Sequence, residues 1–246
     1  MDQLLYNQHY NLEKDHWWFV SRRKIIENII QKYMKEMSPD ARILDAGCGT
    51  GGNLLLLSKY SKNVIGLEYN IEAAKKAEIK TGIKVYQGSL PDNIPFSDSS
   101  FDLIVLLDVL EHIDDDIKAL NTLNAKLKPN GSLLITVPAF KFLWSKHDNI
   151  NNHKRRYTQQ NLKNKIKLSG FTLKYCNYFN TILFPLILFI RMVKNTIPVF
   201  KNDSDFTIHS KIINKLLTEV MSFERFLINN FKLPFGVSII ALCEKS

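Results

Sequence analysis

Cysteine is scarce: Cys48, Cys176 and Cys243 are the only three in 246 residues. They are odd in number, far apart and form no Cys-x-x-Cys pair. That argues against a disulfide-stapled secreted module and points to a reducing, cytoplasmic setting. The opening stretch, MDQLLYNQHYNLEKDHWW, lacks the apolar core of a secretory signal, so none is expected. Long apolar runs are missing too. The longest, over 182–190, contains Pro185 and stops at Arg191, well short of the roughly 20 residues that cross a bilayer. Acids are nearly absent from 141–180, where nine lysines and arginines face only Asp148, in a chain whose formal charge is +9. Such a stretch is either a solvated face or a surface that meets phosphate, on nucleic acid or on a membrane.

What is present is an alternation. Residues 1–40 form a helical lead-in, with Ile25, Ile26, Ile29, Ile30 and Tyr33 at helical spacing. Strands are predicted over 42–46, 63–68, 83–87, 101–107 and 132–137. Helices are predicted over 53–60, over 71–80 behind an Asn70 cap, and over 114–127. A further helix over 159–169, stopped by Gly170, precedes a strand over 171–178, and a last strand covers 237–243. Near-continuous apolar strands between helices predict a parallel sheet covered on both faces. About 55 residues separate the last two strands, more than a hairpin needs. Ile212, Ile213, Leu216, Leu217, Val220, Phe223, Phe226, Leu227 and Phe231 recur there at helical spacing. The expected organisation is a segment 1–40, a domain built from 41–180 and 236–246, and a pair of helices inserted over the sheet at 181–235.

The first strand runs into ILDAGCGTGG. Gly47, Gly49 and Gly52 satisfy the Gly-x-Gly-x-x-Gly spacing that lets backbone approach a pyrophosphate. Yet Asp45 stands two residues before the first glycine. In an open parallel sheet the ligand sits at the carboxyl ends of the strands. A carboxylate there repels phosphate and favours a ligand carrying ammonium and sulfonium groups, as S-adenosyl-L-methionine does. Glu68, at the tip of the second strand, is placed to accept hydrogen bonds from two ribose hydroxyls.

The run ILDAGCGTGGN resembles motif I of class I S-adenosylmethionine-dependent methyltransferases. GLEYN resembles that family's acidic-loop motif, FDLIVLLDVLEHIDD its fourth-strand motif, and LKPNGSLLITVPAF the segment through strand five. The matches follow the family's order across 41–140. The resemblance implies a Rossmann-like α/β fold: a seven-stranded sheet with helices on both faces and an antiparallel last strand. It also implies S-adenosyl-L-methionine as cofactor, leaving S-adenosyl-L-homocysteine. By the same resemblance Asp45, Gly47, Cys48 and Gly49 surround the methionine part and Glu68 meets the ribose. Tyr69 flanks the adenine, Ser89 and Leu90 line its edge, and Asp108 and Val109 flank the methionine side. Many members have Gly-Asp where this chain has Gly88-Ser89, so a charged contact to the adenine amino group is absent here.

Methyl transfer from a sulfonium needs alignment, exclusion of water and, for a hydroxyl acceptor, a base. No Asn/Asp-Pro-Pro-Tyr/Phe run and no Pro-Cys follows the fourth strand, which argues against methylation of adenine amino groups or cytosine C5 in nucleic acid. HWWFVSRRKII (16–26) and FLWSKHDNINNHKRRYT (142–158) resemble a bacterial and archaeal methyltransferase subgroup. That resemblance implies that the amino-terminal segment folds over the cofactor as a lid, with Arg22 or Arg23 facing the methionine carboxylate. The plainer alternative is that Trp17, Trp18 and Phe19 anchor a helix. His147, Asp148 and His153 follow the fifth strand. A His–Asp pair makes His147 the candidate base with Asp148 beside it. No spacing rule supports a metal there, so none is expected, and a hydrogen-bonded loop is the other reading. His112 reads as a cofactor-side or structural histidine. The apolar stretch 179–193, with Arg191, Lys194 and Lys201, is either a helical cap or a membrane-surface contact. The expected activity is methylation of a small or lipid-linked acceptor on oxygen, nitrogen or carbon, in the cytoplasm or at the inner face of the membrane. An RNA methyltransferase and a non-catalytic cofactor-binding subunit are the rivals.

Overall fold

The computed structural model describes residues 3–196 and 210–246. Along the chain run α1 (Gln3–Leu12), α2 (Trp17–Tyr33), β1 (Arg42–Ala46), α3 (Leu54–Leu57), β2 (Asn63–Glu68), α4 (Ile71–Thr81), β3 (Val85–Gln87) and β4 (Phe101–Leu107). There follow α5 (Asp116–Lys126), β5 (Leu127–Pro138), α6 (Lys146–Ile150), α7 (Gln159–Leu168), β6 (Phe171–Phe179), α8 (Phe184–Thr196), α9 (Lys211–Asn230) and β7 (Ser238–Lys245).

The seven strands make one sheet in the order β3-β2-β1-β4-β5-β7-β6. β3, β2, β1, β4 and β5 are parallel, and β7 runs antiparallel between β5 and β6. Apolar side chains on successive residues bury both faces. Ile43, Leu103 and Val105 point into a core shared with α2, α3, α4 and α9. Leu44, Ile104 and Leu106 point the other way, against α5 and α7. The strand order reverses between β1 and β4, and an α/β sheet opens a crevice at that switch point.

Four local departures from the sequence reading have physical causes. The helix expected over 53–60 is a single turn, because beyond Leu57 the chain tightens into i→i+3 bonds: the Lys59 and Tyr60 amides donate to Leu56 and Leu57. β5 starts at Leu127, upstream of the Lys128–Gly131 turn, because Leu127 already pairs with Phe101 across a register shift. The strand expected over 83–87 begins only at Val85. α6 was not foreseen. It is closed by a capping box in which the Ser145 amide donates to Asp148 at 2.8 Å.

α9 lies parallel to α2, with partners at a constant offset of 197 positions. The Trp17 amide donates to Asn214 at 2.8 Å, Ser21 to the Thr218 carbonyl at 3.1 Å, and Asn28 to the Arg225 carbonyl at 3.3 Å. Asn28 and Asn229 exchange two amide bonds of 3.0 and 2.9 Å. This seam is polar, so the large apolar residues of α9 are mostly left outside it. Ile212, Leu216 and Phe226 are exposed. Among the described residues no helix is long and apolar enough to cross a membrane.

Five of the nine bases of the stretch 141–180 are paired with acids, four of them with acids from outside it. Lys154 meets Asp114, Arg155 and Lys165 meet Asp116, Arg156 meets Asp148, and Lys174 meets Glu244. Charge counted along the chain misses the partners Asp114, Asp116 and Glu244, which offset part of the excess. Arg191, which only the membrane-contact alternative sets beside lipid headgroups, is buried and donates to the Leu143 carbonyl at 2.6 Å. Lys201 and the side chain of Lys194 lie outside the described residues.

Candidate functional site

A cleft of about 1040 Å³ opens over the carboxyl ends of β1, β2, β4 and β5, roofed by α1, α2, α8 and α9. Its inner wall begins at the turn after β1. Gly47 has φ +82°, and a Cβ there would sit 2.6 Å from Val109 Cγ2, so no larger residue fits. Gly52, the third glycine of the spacing, has another reason to be small. A Cβ on it would collide with the carboxylate of Glu13, which reaches in from the turn after α1. Glu13 accepts from Thr50 Oγ1 at 2.9 Å and is paired with Lys80. The lead-in segment is thereby fastened onto the glycine turn.

Most of the residues expected to hold a cofactor line this cleft: Arg22, Gly47, Cys48, Gly49, Glu68 and Tyr69, then Ser89, Leu90, Asp108, Val109 and His112. Arg23 lines it as well. Glu68 is 5% exposed. Its Oε2 accepts from the Gly49 amide at 2.9 Å, and its Oε1 from the Asn70 amide at 2.9 Å and Tyr6 Oη at 2.8 Å. The Tyr6 hydroxyl is the same kind of donor that a ribose presents, and burial together with the Glu68 charge pushes its pKa up. Asp108 holds two partners, Thr136 Oγ1 at 3.1 Å and the Arg22 guanidinium, so Arg22 faces a carboxylate of the protein itself. Arg22 Nε is buried without a partner.

Two of the expected residues do not line the cleft. Asp45 is 1% exposed beneath the glycine turn, and its Oδ2 has no hydrogen-bond partner. Burial pushes its pKa up to about 7; Arg22 pulls it down, while Glu68 and Glu13 push it further up. Asp148, expected to pair with His147, is instead fully buried and bound to others. It takes two bonds from Arg156 at 2.7 and 2.9 Å and one from His153 Nδ1 at 2.8 Å. These bonds hold its carboxyl well below the usual range against the desolvation of the site. The reason is the capping box, which aims Asp148 back along α6 and away from His147. His147 does reach the cleft and packs edge-on against His153 at 6.1 Å.

Glu111 was overlooked. It follows β4 in the short turn Leu110–His112, is fully buried, and neither carboxylate oxygen has a partner. Burial and the nearby Asp108 push its pKa well up. Beside it the pKa of His112 is lowered to about 4, first by burial and then by His153, whose ring lies edge-on at 4.7 Å. Tyr6 and Glu13 also escaped notice, since a Tyr and a Glu near a helix give no signal beyond a solvated face. Ser145 and Asp148, by contrast, do carry the Ser-x-x-acid spacing of a helix start.

A polar inner end with an acid at the tip of β2, a glycine turn and a roomy mouth suits a nucleoside with a charged tail. Comparison with known proteins agrees. A family model described as a methyltransferase domain matches residues 16–175, well over half of the chain. An uncharacterised protein of Methanocaldococcus jannaschii is 30% identical over 195 residues, which are 74% of this chain and 82% of that protein. Demethylmenaquinone methyltransferase of Staphylococcus carnosus is 32% identical over 133 residues, 49% of this chain and 54% of that enzyme, so the match spans about half of it. The solved structure of a SAM-dependent methyltransferase from Archaeoglobus fulgidus shares the fold over 91% of this chain and 94% of its own, with a TM-score of 0.55 and 20% identity. The chain belongs to the class I S-adenosylmethionine-dependent methyltransferases.

Proposed function

We propose that this methyltransferase acts on a small acceptor with a large apolar part, of the kind carried in a membrane, such as a quinone precursor or a prenyl-linked glycan. The observation that carries the reading is the outer wall of the cleft. Trp17 and Trp18 of α2, Leu186, Ile187 and Ile190 of α8 and Leu217 of α9 make an apolar funnel above a polar floor. Phe189 and Met192, 65% and 60% exposed on α8, continue the apolar surface outward. Demethylmenaquinone methyltransferase, the relative named above, fits the same class of acceptor.

Bound S-adenosyl-L-methionine supplies a methyl carbon already activated by its sulfonium. The residues at the inner end suit that cofactor. Glu68 would hold the ribose hydroxyls in place of the Tyr6 hydroxyl, while Ser89, Leu90 and Tyr69 would border the adenine. Asp45, with an unpartnered oxygen under the glycine turn, offers negative charge to the ammonium. Arg22, whose Nε has no hydrogen-bond partner, would supply positive charge for the methionine carboxylate. Cys48, Gly47 and Gly49 leave space for that chain, and Val109 and Asp108 close its far side, with His112 next to them. Of the imidazoles that line the cleft, His147 is our candidate to take a proton from the acceptor; Asp148 positions His153 rather than His147. The apolar flank of α8 and α9 lets the protein rest peripherally on an inner membrane surface while the funnel receives its acceptor.

The test is incubation of the protein with methyl-labelled cofactor and fractionated extract, partitioned into lipid, RNA and water-soluble pools. Label in the lipid pool is expected; label in RNA alone overturns the reading. If His147→Ala keeps full turnover on the acceptor so found, the base lies elsewhere.

A further inference from the structure

Three side chains of metal-binding type meet on the floor of the cleft. Glu111 and His112 come from the turn after β4, and His153 from the loop after α6. One ligand atom of each lies within 4.8 Å of the others. Atoms bonded to one ion at about 2.1 Å sit roughly 3 to 3.5 Å apart. Modest side-chain rotations therefore close the set.

Two independent features point to an ion. The first is the state of Glu111, a fully buried carboxylate with both oxygens unpartnered although it lines the cleft. Leaving such a group unpaired is costly. The guanidiniums that act on it, those of Arg22 and Arg156, are committed to Asp108 and Asp148. The second is that the His153 imidazole is held from behind. Asp148 is an ionised acceptor, so the 2.8 Å contact puts a proton on His153 Nδ1. That turns Nε2 toward Glu111, with Oε1 at 4.0 Å. Imidazoles that ligate metals are oriented in this way, through the ring nitrogen that does not touch the ion.

We propose that Glu111, His112 and His153 bind one divalent transition-metal ion whose remaining coordination positions open into the cleft. Two imidazole nitrogens and one carboxylate suit manganese, iron, cobalt or zinc; magnesium and calcium prefer oxygen ligands throughout. The open positions would take an acceptor oxygen, such as that of a phenol or an enol, and lower its pKa so that it loses its proton near neutrality. That role rests on the methyl-transfer reading; the binding of the ion does not.

The experiment titrates EDTA-treated protein with Co²⁺ alone and follows its visible absorption, with S-adenosyl-L-homocysteine binding measured on the same samples. One equivalent should bind and develop d–d bands. Glu111→Gln, which keeps the shape of the side chain, and His153→Ala should each weaken binding at least 100-fold while S-adenosyl-L-homocysteine still binds. His147→Ala, an imidazole of the same cleft outside the set, should leave Co²⁺ affinity within about twofold. No absorption change in the wild type overturns the site, as does binding that survives Glu111→Gln and His153→Ala or is lost in His147→Ala. Co²⁺ binding without S-adenosyl-L-homocysteine binding would instead remove the cofactor reading and leave the metal site standing.

Discussion

The inner and outer walls of the cleft are built from similar apolar letters but obey different rules. In β1 and β4 a buried strand between two neighbours has both faces covered, so Ile43, Leu44, Leu103 and Ile104 are all fully buried. On α9 the letters that recur at helical spacing are largely outside: Ile212 is 81% exposed and Leu216 62%. The face that α9 buries holds Thr218, Ser222 and Glu224 beside Met221 and Ile228. Glu224 belongs there because its carboxylate accepts from the Ile182 amide at 2.7 Å, at the entry to α8. A sheet interior leaves an apolar residue one destination. A helix laid on another helix chooses between a polar seam and an apolar stripe, and here the seam won, leaving the stripe to solvent or to something apolar.

The hardest test of that comparison lies on the inner wall. Gly47→Val must adopt φ +82° and enter the space of Val109. Left-handed backbone costs a branched residue about 1–2 kcal/mol, and overpacking about 1–3 more. Denaturant unfolding should show a loss of roughly 2–5 kcal/mol, with S-adenosyl-L-homocysteine binding abolished in calorimetry. A variant that folds and binds normally would mean that the inner wall is as permissive as the outer.

Asp45 gives an effect of comparable size but opposite sign. Its folded pKa, about 7, lies above the ordinary carboxyl value of 3.8. The protonated side chain therefore favours the fold at low pH, and this contribution is lost as pH rises from about 4 through 7. Asp45→Asn stays neutral, so cofactor-free protein should be more stable than wild type at pH 8, by up to about 4 kcal/mol, with the gain fading toward pH 4. The same variant should bind S-adenosyl-L-methionine at least tenfold more weakly. Thermal melts across pH check the first outcome and calorimetry the second. A gain that does not vary with pH would show that Asp45 is not the group titrating.

How far each wall was legible follows from the same contrast. β1, β2 and β4 match the sequence reading to the residue, and Asn70 caps α4 through bonds of 3.0 and 2.9 Å to Glu72 and Ala73. Short-range pattern decides these elements. The convergence of Gly47, Gly49, Glu68, Asp108 and Val109 on one cleft was legible because these residues sit in motifs at strand tips. The acceptor end was not. Glu111, His112 and His153 are brought together by a turn and a loop 41 residues apart in sequence, counting from His112. Asp148 was assigned to His147 because adjacent residues look like partners, whereas a helix start turns neighbours apart. Tyr6 and Glu13 matter only because α1 folds back onto the glycine turn.

On the outer wall the effects should be smaller and confined to the acceptor. Leu186→Asp places a charge in the funnel far from Glu68. It should raise KM for the acceptor about tenfold, near 1.4 kcal/mol, and leave the dissociation constant of S-adenosyl-L-homocysteine within about twofold. Steady-state kinetics and calorimetry on one preparation separate the two. A matching loss of cofactor binding would show that the walls are not independent.

The smallest effect tests the seam itself. Asn28 and Asn229 exchange two amide bonds, and both are partly buried between α2 and α9. Each neutral bond contributes about 0.5–1.5 kcal/mol net, and stranding one partner costs more than removing both. Asn28→Ala and Asn229→Ala should therefore each destabilise by about 1–2 kcal/mol. The double variant should lose clearly less than the sum, a coupling of about 1 kcal/mol in a double-mutant cycle. Additive losses would mean that α9 is held by Met221 and Ile228 in the core rather than by its polar seam. Its burial would then obey the same rule as the strands, and the distinction between the two walls would shrink to one of degree.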